Sequence, residues 1–205
     1  MQPFDFNLRD GRRVRIRPVV PGDEALMAAG VARLSPRSRF YRFHRPVDQL
    51  SPEELRQLTA TDGSNHVAWG AIAMDEPGMP GVGVARYVRS LEEPARAEVS
   101  VTVVDDFQGA GLGRTLVQTL ALTALENGIS RFVVRVLPSN AAGLRLLRRF
   151  GVSRGWLERR DVVFEIPLDG GNRRFRSSRQ LRAARAEGAA ALVTVSPSDV
   201  FPHLS

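Results

Sequence analysis

At 205 residues the chain can bury one full core and is too short for two ordinary domains. It contains no cysteine, which excludes disulfides, thiolate metal ligands and a cysteine nucleophile, and three scattered histidines make no ligand cluster, so no metal is expected. The net charge is +7 and every one of the 29 basic residues is arginine, which excludes a phosphate loop built on lysine and points to an anionic partner: a phosphate group, an acidic protein surface or nucleic acid.

A hydrophobic content of 43% is that of a globular protein. No apolar run approaches the ~18 residues of a membrane span, and Met1-Gln2-Pro3-Phe4-Asp5 does not open like a signal peptide, so a soluble cytoplasmic protein without a membrane partner is expected. Arg13 to Arg17 alternates Val14 and Ile16 with arginines and stops at Pro18, which predicts a first strand. Pro21-Gly22-Asp23 opens a helix carrying Leu26, Met27, Val31 and Leu34. Ser35-Pro36 opens a second one, Arg37-Ser38-Arg39-Phe40-Tyr41-Arg42-Phe43-His44, with a serine cap and a proline in its first turn. Its arginines and aromatics have the composition of a base-stacking surface, but the aromatics read more readily as core. Ser51-Pro52-Glu53-Glu54 opens a short helix whose acidic first turn suits the helix dipole.

His66 to Met74 and Val82 to Val88 read as paired strands separated by the loop Asp75 to Gly81. Glu98-Val99-Ser100-Val101-Thr102-Val103 alternates strictly, so the valines share one face and Glu98, Ser100 and Thr102 the other. Gln108-Gly109-Ala110-Gly111-Leu112-Gly113 follows, then Leu112, Leu116, Val117, Leu120 and Ala124 at helical spacing. A glycine turn at a helix N-terminus attracts phosphate through unpaired N–H groups and the positive end of the dipole. Arg131 to Val136 is the next strand, and Asn140 opens a helix with Leu144, Leu147 and Phe150 on one side, ending before Gly151. The strand at Glu98, the helix and the strand at Phe132 form one βαβ crossover. Gly155 to Glu158 and Val162 to Ile166 close the pattern as a last pair, joined by Arg159-Arg160-Asp161.

From Asp169 to Ser205 the patterning weakens into an arginine-rich stretch and a polar end, read as a solvated tail in which Ser178 could cap a short helix. No DNA- or RNA-reading motif of defined geometry accompanies the arginines, so nucleic acid is not the expected partner.

Spacing sorts the readings of the glycine turn. A Walker loop needs Gly-Lys-Ser/Thr and there is no lysine. A dinucleotide fingerprint starting at Gly109 would need glycine where Arg114 stands, and an acidic strand end about 20 residues on, where Glu126 lies inside the helix. What remains is Q-x-x-G-x-G at Gln108, Gly111 and Gly113, or a plain tight turn. With its preceding carboxylate-bearing strand, this motif resembles the GNAT family of N-acetyltransferases. Asn140 also matches the asparagine that opens the family's next helix, a position a plain N-cap would explain as well. The resemblance spans roughly Gly11 to Leu168.

The resemblance implies an α/β (α+β) fold with a central mixed, mostly antiparallel twisted sheet flanked by helices, in a domain over residues 1–168 with a basic tail at 169–205. It implies acetyl-CoA as co-substrate, held by Val101, Thr102 and Val103, by Gln108, Gly109, Ala110, Gly111, Leu112, Gly113 and Arg114, and by Asn140. Leu34-Ser35-Pro36, Ser38 to Phe43, Leu50 to Leu55, Val82 to Tyr87 and Ala97-Glu98-Val99 are similar to the acetyltransferase domain of bacterial Pat-type protein lysine acetyltransferases. There the glutamate of the Ala-Glu pair is held to be the base, which carried over is Glu98. Pat-like enzymes act on a lysine of acyl-CoA synthetases, so the expected acceptor is a primary amine, foremost a protein lysine on an acidic surface. A small-molecule amine and a non-catalytic acetyl-CoA sensor are the alternatives.

On physical grounds, an amine of pKa near ~10.4 must lose a proton before it attacks a thioester, and a free glutamate near ~4.3 is a poor acceptor. Burial on the sheet would narrow that gap; a salt bridge to Arg86, Arg96 or Arg135 is the structural alternative for Glu98. Arg114, Arg145 and Arg148 are plausible phosphate neighbours. Two positions depart from the family. Many relatives carry a proton-donating tyrosine seven residues after the asparagine, where this chain has Leu147, so the acid is unassigned; and Gly143 stands in a helix that would prefer alanine. If the enzyme modifies lysine, it cannot modify its own side chains, since the chain has no lysine.

Overall fold

The computed structural model describes residues 2–152 and 154–168. The segment read above as a basic tail, 169–205, lies outside the described residues. In chain order the described elements are β1 (Phe4–Asn7), β2 (Arg13–Pro18), α1 (Glu24–Ala32), α2 (Pro36–Phe43), α3 (Pro52–Thr59), β3 (His66–Ala73), β4 (Gly81–Arg89), β5 (Arg96–Val103), α4 (Leu112–Glu126), β6 (Arg131–Val136), α5 (Ala141–Arg148), β7 (Arg154–Glu158) and β8 (Asp161–Pro167). The strands form one eight-stranded sheet in the order β1-β2-β3-β4-β5-β6-β8-β7. Every neighbouring pair is antiparallel except β5 and β6, which are parallel because α4 carries the chain back between them.

Local chemistry places the helix starts. Ser35 accepts a hydrogen bond from the Ser38 amide at 3.2 Å, with Pro36 at the first helical position of α2. Ser51 and Glu54 form a reciprocal capping box on α3. The Asn140 carbonyl oxygen accepts from the Gly143 amide at 2.9 Å, and a Cβ at Gly143 would sit 2.9 Å from the Asn140 amide nitrogen. The glycine in α5 therefore leaves the cap its room.

The core lies mainly between the sheet and α4, whose Leu112, Leu116, Leu120, Ala121 and Ala124 are buried. Thr119 and Thr123 satisfy their hydroxyls on carbonyls one turn back, and Thr123 also accepts from the buried Trp69 indole at 3.1 Å. At Gly83 on β4 a Cβ would come 3.0 Å from Leu116 and 3.2 Å from Leu112, so glycine there sets how closely α4 lies on the sheet. On the side where Gly81 backs onto Leu26, α1 and α3 pack together, and α2 meets β5.

Two readings of the sequence are corrected. The strand at Arg13 is second, since Phe4–Asn7 precedes it: Phe4 packs against Trp69 with ring centroids 6.2 Å apart, and Asp5 pairs with Arg15 at 2.7 Å. A run of four residues is too short for alternation to stand out. The aromatics of α2 are not core, for the helix buries none of its residues and Phe40 is exposed. The helix lends Arg42 and Phe43 to the wall of a cleft.

Candidate active site

Strands β5 and β6 pair over three rungs, Arg96 to Glu98 against Arg131 to Val133. Beyond that point β5 continues to Val103 and β6 to Val136 without pairing to each other, while each keeps its ladder on the far side. The edge of β5 from Val99 to Val103 thus faces an opening in the middle of the sheet. Backbone amides and carbonyls on such an edge need partners, which an extended ligand carrying amides of its own supplies.

This edge leads into the glycine turn. A short 3-10 turn, Asp105–Phe107, buries Phe107 beneath the Arg12 guanidinium, 3.8 Å from the ring centroid. The Gln108 side-chain amide donates back to the Val103 carbonyl at 3.1 Å, tying the turn to the strand end. Gly109 and Gly111 have φ of 81° and 100°, a left-handed conformation that costs other residues energy. The Thr115 amide makes a bond to the Gly111 carbonyl at 3.1 Å, so the amides of Leu112, Gly113 and Arg114 have no helical acceptor and sit at the positive end of α4. The turn lies close to α5: a Cβ at Gly113 would make an ordinary contact with Leu146 at 3.5 Å.

Arg9, in the turn between β1 and β2, joins this site unannounced by any local signal. Its amide donates to the Ala110 carbonyl at 3.1 Å, and its side chain runs 3.6 Å from where a Gly111 Cβ would be. Arg9 and the three free amides together gather positive charge and unpaired donors at one rim of the opening. Asp105 secures the approach from the other side. Its carboxylate accepts from the Ser35 amide and hydroxyl, both at 2.9 Å, and from the Ser38 hydroxyl at 2.8 Å, which pins the start of α2 to the turn. Burial opposes the charge, but the Ser35 amide and the two hydroxyls hold this carboxyl below its ordinary range.

Glu98 stands on the last paired rung, at the bottom of the opening, and lines an open cleft of about 690 Å³ with residues from α2, α3, β4, β5 and β6. Its side chain is 62% exposed, so the burial invoked above to adjust its proton affinity is absent. Alternation predicts the face a side chain takes and says nothing of depth. Of the three arginines weighed as salt-bridge partners, Arg135 comes to 3.9 Å but bonds Glu158 at 2.9 Å, and Arg96 pairs with Glu93 at 2.8 Å. Arg86 makes no ion pair with Glu98 and feels its charge only at a distance. Thr102, on the same face, has a buried hydroxyl without a hydrogen-bond partner and borders a second, apolar cavity beneath α1.

Asn140 caps α5, and Leu147, at the position where many relatives carry a tyrosine, is buried. A different tyrosine reaches this region. The Tyr41 hydroxyl on α2 donates to the Ser139 carbonyl at 2.8 Å and accepts from Arg37 at 3.0 Å, and the Arg37 bond, followed by that to Ser139, holds the phenol below its ordinary value. Arg114 lies on α4, and Arg145 and Arg148 on α5. Among the described residues no three His, Cys, Asp or Glu are grouped to hold a metal, and no helix is long and apolar enough to cross a membrane.

Residues 13–153 match the family model described as "Acetyltransferase (GNAT) domain". The chain is 32% identical over 155 residues to an acetyltransferase of Pseudomonas aeruginosa, covering 76% of this chain and 81% of that protein. It is 33% identical over 150 residues to the acetyltransferase Pat of Mycolicibacterium smegmatis, covering 73% of this chain but 44% of that longer protein. Among solved structures, the GNAT domain of S. lividans PAT superposes with a TM-score of 0.73 at 29% identity, over 80% of this chain and 96% of that domain.

Proposed function

Since the chain belongs to the GNAT family, as a Pat-type, acetyl-CoA-dependent N-acetyltransferase, we propose that its acceptor is a protein lysine, foremost one on an acyl-CoA synthetase, with Glu98 as the base. The observation that carries this reading is the position of Glu98: the last rung before β5 and β6 part, between the open strand edge and the cleft that admits an acceptor.

Acetyl-CoA supplies the thioester whose acetyl group the acceptor nitrogen takes. The residues present fit it. The Val101–Val103 edge has backbone groups to offer, the free amides of Leu112, Gly113 and Arg114 with Arg9 suit a pyrophosphate, and Gln108 and Asn140 hold the two ends of the opening in place. Exposed Glu98 receives the proton from the acceptor ammonium directly or through water, and the cleft walls orient the amine for attack. The Tyr41 hydroxyl, which spans from α2 to the turn before Asn140, is our candidate for the proton donor that Leu147 cannot be.

We also assign the activity to residues 1–168, since every residue named above precedes Asp169 and β8 ends at Pro167. The arginines beyond it would then tune the choice of acceptor through attraction to acidic surfaces. The test pairs calorimetric titration of acetyl-CoA with mass spectrometry of acetyl transfer. Saturable binding and acetylation of a lysine in a purified acyl-CoA synthetase are expected; binding with transfer only to free amines would replace the protein acceptor by a small molecule.

A further inference from the structure

Five arginines line the cleft at Glu98, and three of them are engaged. Arg89 donates to the Pro94 and Asn127 carbonyls, Arg96 pairs with Glu93 and Glu165, and Arg135 with Glu158. Arg42 and Arg86 differ. Among the described residues neither guanidinium has a hydrogen bond or an ion pair, and that of Arg42 only lies over the neighbouring Phe43 ring, 5.1 Å from its centroid. Both are half-buried. Burial and the charge of Arg86 push Arg42 down to about 10, and burial pushes Arg86 down as well.

Two half-buried guanidiniums without an ion-pair partner offer their donors to a ligand, and the backbone that carries each is fixed. Arg86 is fixed on β4, a strand paired on both sides, while Arg42 is held by α2, whose start Asp105 secures. Two of the acids nearby are committed. Glu54 serves the α3 capping box and Arg45, and Glu93 serves Arg96. Glu98 alone reaches both arginines with its field, and it also stands 3.9 Å from Arg135. What the pair lacks is a planar monoanion, and a guanidinium fork matches a carboxylate in two parallel bonds. A phosphate dianion suits the place less, for Glu98, Glu92 and Glu93 share the cleft.

Register gives the distance from this anion subsite to the base. Val88 pairs with Glu98 and Arg86 with Ser100, so Arg86 and Glu98 are diagonal neighbours, with α-carbons about 7–8 Å apart. A molecule that brings its amine to Glu98 therefore brings a carboxylate to Arg86 when the two groups are a few bonds apart.

We propose that Arg42 and Arg86 form a subsite for a carboxylate carried by the acceptor, so that the preferred acceptor is an amine with a carboxylate within one side-chain length. In a peptide that carboxylate is an Asp or Glu beside the target lysine; in a free amino acid it is the α-carboxylate. This rests on the reading of the cleft at Glu98 as the acceptor site.

The experiment uses the full chain with acetyl-CoA and two acceptor pairs: lysine peptides that differ only in Glu or Gln beside the lysine, and free lysine against cadaverine, its decarboxylated form. The carboxylate-bearing member of at least one pair is expected to have a kcat/KM at least about tenfold higher, and the responding pair identifies the source. In Arg42→Gln and Arg86→Gln, checked for folding by circular dichroism, that ratio should fall towards one; Arg42, on a surface helix, is the safer variant should Arg86→Gln misfold. Equal rates within both pairs, or a ratio untouched in the variants, overturns the subsite. Calorimetric titration of the same four acceptors separates the two readings. Arginine-dependent binding of the carboxylate-bearing member without acetyl transfer keeps the subsite and removes the acceptor assignment at Glu98, whereas neither preference nor binding removes the subsite itself.

Discussion

The Tyr41 hydroxyl donates to the carbonyl of Ser139, 98 positions later in the chain, at 2.8 Å, and so joins the helix above β5 to the turn that follows β6. Arg37 at the phenolic oxygen favours loss of its proton. A phenol so placed is a better proton donor to a departing thiolate than an ordinary tyrosine. Tyr41→Phe should lower kcat by about tenfold or more with the acceptor KM changed by less. Steady-state kinetics across a pH series decide it; unchanged kcat would return the acid to the unassigned.

Gly111→Glu should abolish acetyl-CoA binding. The residue is left-handed at φ 100°, which costs any side chain about 1–2 kcal/mol, and the new carboxylate would occupy Arg9 and repel a pyrophosphate. Calorimetry on protein shown to be folded gives the answer, and retained affinity would place the phosphate site elsewhere.

Glu98→Gln keeps the size of the side chain and removes its proton affinity. With the side chain 62% exposed, the fold should be indifferent. Turnover should drop by about 10²–10⁴-fold while acetyl-CoA affinity stays within about twofold. A fully active variant at every pH would take Glu98 out of the mechanism.

Asp62 gives a pH prediction of known sign. Burial works against its charge, but the amides of His66, Ser64 and Asn65 outweigh it and bring the carboxyl down to about 2. A carboxyl depressed on folding adds stability at every pH above its unfolded value of ~3.9, and the contribution fades as pH falls through the folded value. The melting temperatures of the protein and its Asp62→Asn variant should therefore differ by a constant amount from pH 7 to 5 and converge towards pH 2. A gap that persists in acid would contradict the assignment.

What the sequence yielded was local. Serine and asparagine caps, proline at first turns, alternating valines and the two left-handed glycines are written in runs of six residues or fewer, and the elements fall where those signals stand. What it withheld was pairing across the chain. Nothing near Arg9 indicates that it will lie against Ala110 and Gly111, and nothing in Arg42 or Arg86 tells that they will be left without partners. The strand at Glu98 showed which way the glutamate points, but its exposure depends on α2 and α3 leaving a cleft above it. The parting of β5 from β6 was equally invisible, because each strand keeps perfect alternation on the side where it remains paired.

That parting also bears on how long the protein survives. Half of a central strand lacks a neighbour on one side, and a donor molecule lying along it would act as a missing rung of the ladder. Occupancy then adds directly to the free energy of folding, by roughly 2.7 kcal/mol when the ligand is at a hundred times its dissociation constant. Resistance to proteolysis would rise and fall with the supply of the donor, so that a cell short of activated acetyl groups would hold less of the catalyst that spends them.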